Sequence, residues 1–302
     1  MYNNLLKSEK LEAWLLLLML ALIWGSSYIL IKKGLVVFSA LQVGTIRIAF
    51  AFLFLLPSAV RNLKKVPEGK WKIIIFTGIV GNLIPSILFA LAETNLESSL
   101  TGILNALSPI FTMLIAVYIF SFRIRLLQIA GIIVGFAGTI GLSFINSSGG
   151  IGNMNIYVWL TIIATFCYAL SLNFIKAYLG DVSSMVITSL AVFTIGPVSI
   201  IYLFSTDFIK IVQNTPGSYE ALGYISILGV FGTAIGLILY TRLIHMTTAI
   251  FASSVTYLVP IVAIFWGILD GEKIYALHLA GMLFILIGIY LVNKSGSTIK
   301  NK

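Results

Sequence analysis

The sequence predicts an all-α membrane protein of ten transmembrane helices built as two inverted five-helix repeats, and three observations carry that prediction. Of 302 residues, 59% are hydrophobic and 10% charged, whereas an ordinary soluble domain is roughly half apolar and about a quarter charged. The apolar residues fall in runs of spanning length separated by short polar segments. Glycine and proline recur in the same order in the two halves of the chain. The net charge of +9 comes from basic residues scattered between apolar runs. They form no single patch with interleaved aromatics, so the expected partner is a lipid bilayer and not nucleic acid.

Taken in order, the spans are predicted near 13–31, 39–60, 71–92, 98–120, 126–145, 156–175, 184–204, 219–241, 249–269 and 275–293. Each is about the length needed to cross a hydrocarbon core of roughly 30 Å as a helix. Continuous runs such as Leu15-Leu16-Leu17-Leu18 and Ile73-Ile74-Ile75-Phe76 lack the alternation of a membrane β-barrel, and in lipid they satisfy their backbone only as helices. Lys7 and Lys10 precede the first run, which shows no small-residue cleavage site and is expected to stay as the first span. Cys167, the single cysteine, lies inside an apolar run, where packing is its expected role and no disulfide within the chain is possible.

Orientation follows from the tendency of Lys and Arg in short loops to stay on the cytoplasmic side. With the N-terminus inside, the inner segments hold Lys7, Lys10, Arg61, Lys64, Lys65, Lys70, Lys72, Arg123, Arg125, Lys176, Arg242, Lys294, Lys300 and Lys302. The outer ones hold only Lys32, Lys33, Lys210 and Lys273. Both termini are therefore expected in the cytoplasm, in an inner or plasma membrane.

The repeat is weak but ordered. Gly78 and Gly81 match Gly229 and Gly232 at a constant spacing, which then carries Ser108-Pro109-Ile110 onto Val259-Pro260-Ile261. Ala130-Gly131 with Gly138 matches Ala280-Gly281 with Gly288, and Ile31-Lys32 matches Ile175-Lys176. The boundaries predicted are 1–145 for the first repeat, 146–155 for a Ser/Gly/Asn-rich linker, 156–293 for the second repeat and 294–302 for a cytoplasmic tail. An odd number of spans per repeat turns the second copy upside down. Loop charge agrees: Arg61, Lys64 and Lys65 follow the second span, but Asp207, Lys210 and Glu220 the seventh, and Arg123 and Arg125 follow the fourth, but Asp270, Glu272 and Lys273 the ninth.

Several motifs share this order. They are Ile23-Trp24-Gly25-Ser26-Ser27-Tyr28 in the first span, Arg47 in the second, Ser108-Pro109 in the fourth, and Tyr257-Leu258-Val259-Pro260 followed by Gly271-Glu272 in the ninth. Together they make the chain resemble, over nearly its whole length, the EamA-type family of the drug/metabolite transporter superfamily. The resemblance implies ten helices, cytoplasmic termini, a central cavity and metabolite transport, and it implies no particular substrate. One departure stands out: family members commonly have a Gly-Glu pair after the fourth span too, where this chain reads Phe120-Ser121-Phe122-Arg123. Glu272 is accordingly expected to be structural.

A carrier of small solutes needs a mid-membrane cavity with a few polar groups, walled by helices that can rearrange. Thr101, Asn105, Ser108 and Thr112 form a stripe at helical spacing beside Pro109. The ninth span offers Ser253, Thr256, Tyr257 and Pro260 in equivalent places. Packing through hydroxyl hydrogen bonds explains any single Ser or Thr equally well. The Asn105 amide, with several sites to satisfy, is expected to face a cavity or substrate. Trp24, Ser27 and Tyr28 share a face of the first span, Asn82, Ser86 and Phe89 a face of the third, and Tyr168, Ser171 and Tyr240 are the contributions expected from the second half. For each aromatic, core packing or interfacial anchoring is the competing role.

Arg47 is predicted a turn or two inside the second span, where it must snorkel or find a partner. Glu93 or Glu97, at the outer end of the third span, is the candidate partner, in a fixed structural pair or a gate. Glu93, Glu97, Asp270, Glu272 and His245 all fall near span ends, so a buried carboxylate relay for protons is not expected. No cofactor and no metal site is expected. The chain shows no HExxH, no phosphate-cradling loop and no paired aspartates within spans, which argues against the alternative of an intramembrane enzyme. A non-transporting scaffold, the other alternative, would not need polar stripes in both halves. The reading is a secondary transporter, by analogy an exporter, that alternates access for neutral or zwitterionic metabolites such as amino acids, since no central charge is expected in the cavity. Substrate, direction, coupling and oligomeric state lie beyond the sequence.

Overall fold

A computed structural model of the protein describes residues 2–120, 125–145, 150–151 and 154–294. Residues 121–124, most of the expected linker, the tail beyond 294 and the side chains of Lys7, Lys10 and Lys294 lie outside the described part.

The described secondary structure is helical apart from one bridge between Ile145 and Ile151. Nine helices among the described residues are long and apolar enough to span: Leu11–Leu35, Ala40–Lys65, Trp71–Ala92, Ser98–Ile119, Leu126–Ser143, Tyr157–Tyr178, Ser184–Ser205, Ser218–Met246 and Phe251–Leu269. They are the first to ninth spans below. The tenth stretch differs from the prediction. It is a helix, Ala276–Lys294, but its apolar part, Ala276–Leu291, extends only about 24 Å at 1.5 Å per residue, short of a roughly 30 Å core.

Outward faces are apolar, with Leu15, Leu22, Phe54, Ile133, Ile201 and Phe204 all exposed, as a lipid-facing surface requires. Small residues set the contacts between helices. A Cβ on Gly288 would sit 2.5 Å from the Gly131 carbonyl oxygen, and one on Gly138 would sit 2.8 Å from that of Gly281. The last helix and the fifth span thus approach each other through reciprocal glycines. The other repeated glycines behave alike. Gly78 of the third span packs on the Ala191 carbonyl of the seventh, and Gly229 of the eighth on the Arg47 carbonyl of the second. Gly81 meets Ser171 of the sixth span, and Gly232 meets Ser27 of the first.

Helix irregularities repeat too. The third span carries a π-helical turn at Ile79–Leu83 and the eighth one at Leu228–Ile235. Such turns loosen the i to i−4 ladder, and side chains take up the slack: Asn82 Nδ2 donates to the Thr77 carbonyl at 2.9 Å, and Thr233 Oγ1 donates to that of Leu228 at 3.5 Å. The fourth span breaks between Asn105 and Ser108, and the ninth passes through a 3₁₀ segment, Ser254–Tyr257. Pro109 and Pro260 sit in the first turn of the helices that resume, Ser108–Phe120 and Val259–Leu269, where a missing N–H is harmless. They shape the break.

Candidate functional site

The interrupted spans surround one central cavity. It encloses about 1020 Å³ of empty space, its opening included, and its walls come from the first, second, third, fourth, sixth, seventh, eighth and ninth spans. Trp24, Ser27, Tyr28, Asn82, Phe89, Asn105, Ser108, Tyr168, Ser171, Tyr240 and Thr256 line it. Seven other residues expected there do not. The Ser86, Thr101 and Thr112 hydroxyls turn back on their own helices, to the Leu83, Glu97 and Ser108 carbonyls. Ser253 is fully buried off the wall, Tyr257 packs into an apolar cluster with Leu104 and Leu107, and Pro109 and Pro260 serve the breaks.

The aromatic side chains and Asn105 are held in place. Trp24 Nε1 donates to the Gly232 carbonyl at 2.9 Å, inside the π turn of the eighth span, and its ring meets that of Tyr240 edge-on with centroids 4.7 Å apart. Tyr28 meets Phe89 edge-on at 5.8 Å, and Phe89 stacks on Tyr168 at 5.6 Å, which makes an aromatic layer across one end. Asn105 Oδ1 lies 3.2 Å from Thr165 Oγ1. Its amide stands beside the Tyr28 hydroxyl.

Arg47 overturns two expectations. It lines the cavity, so the cavity does carry a charge. Its Nε donates to Thr233 Oγ1 at 2.5 Å, and its guanidinium stands beside the Tyr168 hydroxyl. The ion pairs among the described residues include neither Arg47–Glu93 nor Arg47–Glu97. The glutamates lie beyond the aromatic layer, whereas Thr233 is brought opposite Arg47 by the contact of Gly229 with the Arg47 backbone. At the matching place in the seventh span stands Ala191, whose carbonyl meets Gly78. The cation therefore belongs to one repeat only. Also on the wall, and unforeseen from sequence, are Thr77, Thr188, Thr233 and Thr241. Thr233, Leu237 and Thr241 follow one another at helical spacing, the signal by which they were legible.

Beyond the aromatic layer lies an ionic cluster. Lys32 Nζ is 2.8 Å from Glu272 Oε1, 2.9 Å from Asp270 Oδ2 and 3.4 Å from Glu97 Oε2, and Lys33 pairs with Asp270. Glu272 also accepts from Ser98 N at 3.0 Å, Ser98 Oγ at 2.6 Å and Ser99 N at 3.1 Å. It thereby caps the start of the fourth span from the far repeat, meeting the backbone N–H groups and positive dipole that a helix start leaves open. Burial pushes its carboxyl up, but the Lys32 and serine hydrogen bonds outweigh that and hold it at about 2. Burial likewise opposes ionisation of Asp270, and its hydrogen bonds to Lys33 and Lys32 bring it below the usual range. Glu97 moves the other way, raised by burial and by Glu272.

Glu93 is separate from this network. It is 7% exposed, and neither carboxyl oxygen has a hydrogen-bond partner among the described residues. Burial, with the Glu272 charge adding to it, raises its carboxyl well above the usual range, against the smaller pull of Lys32 and Arg47. A buried carboxyl at the edge of the site is therefore present, contrary to the expectation from sequence. At the opposite end, Lys176 takes the place of Lys32 but donates to the Ile244 and Thr247 carbonyls, at 2.7 and 2.5 Å. The ion pairs there, Lys70–Asp181 and Arg242–Glu12, are largely exposed.

A bundle of apolar helices around a polar cavity, closed at one end by aromatic and ionic layers, has the build of a multi-pass membrane carrier. The profile of the EamA-like transporter family matches residues 12–144 and 155–294, so the chain belongs to that family, in two copies of its unit. It is a secondary transporter of small molecules in the inner or plasma membrane, of the drug/metabolite transporter superfamily, and not an enzyme. An uncharacterized transporter of Archaeoglobus fulgidus is 25% identical over 289 residues, which cover 93% of this chain and 99% of that one. A probable amino-acid metabolite efflux pump of Salmonella typhimurium is 23% identical over 286 residues, 91% of this chain and 93% of that one. A crystal structure with 13% sequence identity superposes with a TM-score of 0.65 over 94% of this chain and 96% of the other, which shows a shared fold.

Proposed function

We propose that the chain exports small zwitterionic metabolites, amino acids first among them, by alternating access. In this reading, ten spans form two inverted five-helix repeats with both termini in the cytoplasm. The two repeats rock about the cavity, and the Lys32 cluster closes the outer end in the conformation described.

The observation that carries the substrate class is Arg47, a buried guanidinium on the cavity wall outside every ion pair among the described residues. A guanidinium presents a planar fork of donors suited to a carboxylate. Trp24 and Tyr240, on the same wall, offer aromatic faces to an ammonium group. A neutral solute would leave the Arg47 charge without a counterpart. The similarity to a probable amino-acid metabolite efflux pump favours export and this substrate class.

The test is counterflow in proteoliposomes across radiolabelled amino acids, nucleosides and sugar phosphates. Saturable exchange of amino acids that Arg47→Ala strongly weakens is the expected result. Exchange of nucleosides or sugar phosphates alone contradicts the substrate class, and no exchange of any of these solutes by folded protein points first to a substrate outside the panel and second to a non-transporting role.

A further inference from the structure

Glu93 follows the third span one turn beyond Phe89, and its backbone N–H donates to the Phe89 carbonyl at 3.0 Å. It continues the face that presents Asn82 and Phe89 to the cavity, and so stands between the aromatic layer and the ionic cluster. Tyr28 and Lys32 face it from the first span, Arg47 from the second and Glu272 from beyond the ninth. Tyr168 of the sixth span reaches the same layer through its stack on Phe89, and Glu97 follows one turn further along. Lys32 is committed to Glu97, Asp270 and Glu272, and Arg47, held at Nε by Thr233, forms no ion pair with Glu93 among the described residues. An ionised carboxylate here would lose its hydration and gain neither a hydrogen bond nor a contact ion pair. The neutral acid loses far less.

We propose that Glu93 is a proton-binding site that sets which way the carrier faces, occupied while the Lys32 end is closed and emptied when that end opens. The proposal rests on the carrier reading and adds a second ligand to it. Opening the Lys32 cluster admits water to Glu93, and the carboxyl then passes its proton to that water and remains as a hydrated carboxylate. Because the closed form holds the proton at an elevated affinity, acid on the Lys32 side favours closure. Alkali favours opening as pH rises through the elevated value. In the second repeat the corresponding place is taken by Ile244, whose carbonyl binds Lys176, so only one end of the carrier responds in this way.

Two measurements on the full-length protein in lipid decide it. Infrared difference spectroscopy at neutral pH is expected to show a protonated carboxyl band that Glu93→Gln removes, and an identical band in wild type and variant overturns the proposal. Counterflow of radiolabelled leucine, phenylalanine and alanine is then compared between about pH 6 and about pH 9. The ratio of rates is expected to be at least about threefold in wild type and about one in Glu93→Gln. Glu93→Asp, which keeps a titratable group, retains a pH dependence with a displaced midpoint. A wild-type pH profile in Glu93→Gln overturns the proposal. Absence of exchange with all three probes counts against the proposed substrate class, while the infrared comparison still decides whether Glu93 holds a proton.

Discussion

At the residue scale the cavity depends on a few polar groups that are held on one side and available on the other. Arg47 is fixed through Nε by Thr233 and stands beside the Tyr168 hydroxyl, which leaves part of its fork for a ligand. Arg47→Lys keeps the charge but loses the fork. It is expected to raise the KM for amino acids by about tenfold, and Arg47→Ala by about a hundredfold, on the scale of about 1.5–3 kcal/mol for a charged hydrogen bond. Counterflow concentration curves check both. Asn105, which meets Thr165 on one side and Tyr28 on the other, is expected on Asn105→Ala to lose at least about tenfold in exchange rate. An unchanged rate would make the amide a packing group.

At the element scale, the start of the fourth span depends on a carboxylate from the other repeat. Glu272 receives two backbone N–H groups, a serine hydroxyl and Lys32. Glu272→Ala is expected to cost about 1–2 kcal/mol by analogy with loss of a helix cap, read as a lower thermal midpoint in detergent. The sign of its pH dependence follows from a carboxyl held below its ordinary value. The stabilisation is present above the ordinary value of 4.5 and is lost as pH falls towards about 2. Between these limits the wild-type midpoint should fall and converge on that of Glu272→Ala. At the other end Thr248 caps its own helix, its Oγ1 accepting from Phe251 N at 3.1 Å. The start of the ninth span is thus capped by its own chain, whereas the start of the fourth is capped from the other repeat.

At the scale of the whole molecule, the reciprocal glycine contacts tie the halves together. Gly288 and Gly138 each face a carbonyl of the opposing helix, and any side chain must push backbone from backbone. Gly288→Ala and Gly138→Ala are each expected to cost about 1–3 kcal/mol as overpacking. Their double variant should cost less than the sum, because one separation of the helices relieves both contacts. Thermal midpoints of the four proteins check this. If the two variants are strictly additive, the contacts do not act as one seam.

Much of this architecture was legible in the chain. Long apolar runs between basic loops can satisfy their backbone only as helices in a bilayer, and helical spacing alone placed Trp24, Tyr28 and Asn105 on faces that meet the cavity. The repeated glycines Gly78, Gly81, Gly229 and Gly232 could be read because close helix contact needs the same small residue in each copy. The pairing of Arg47 with Thr233, the capping role of Glu272 and the burial of Glu93 could not be read. Each depends on a contact between segments distant in sequence, and a span-end position does not say whether a side chain reaches water or the interior. The order of hydrophobic and small residues along the chain determined the helices and their repetition, because those follow from local periodicity and backbone hydrogen bonding. Tertiary structure alone decided which charges neutralise one another, because that is settled by distances of a few ångströms between helices.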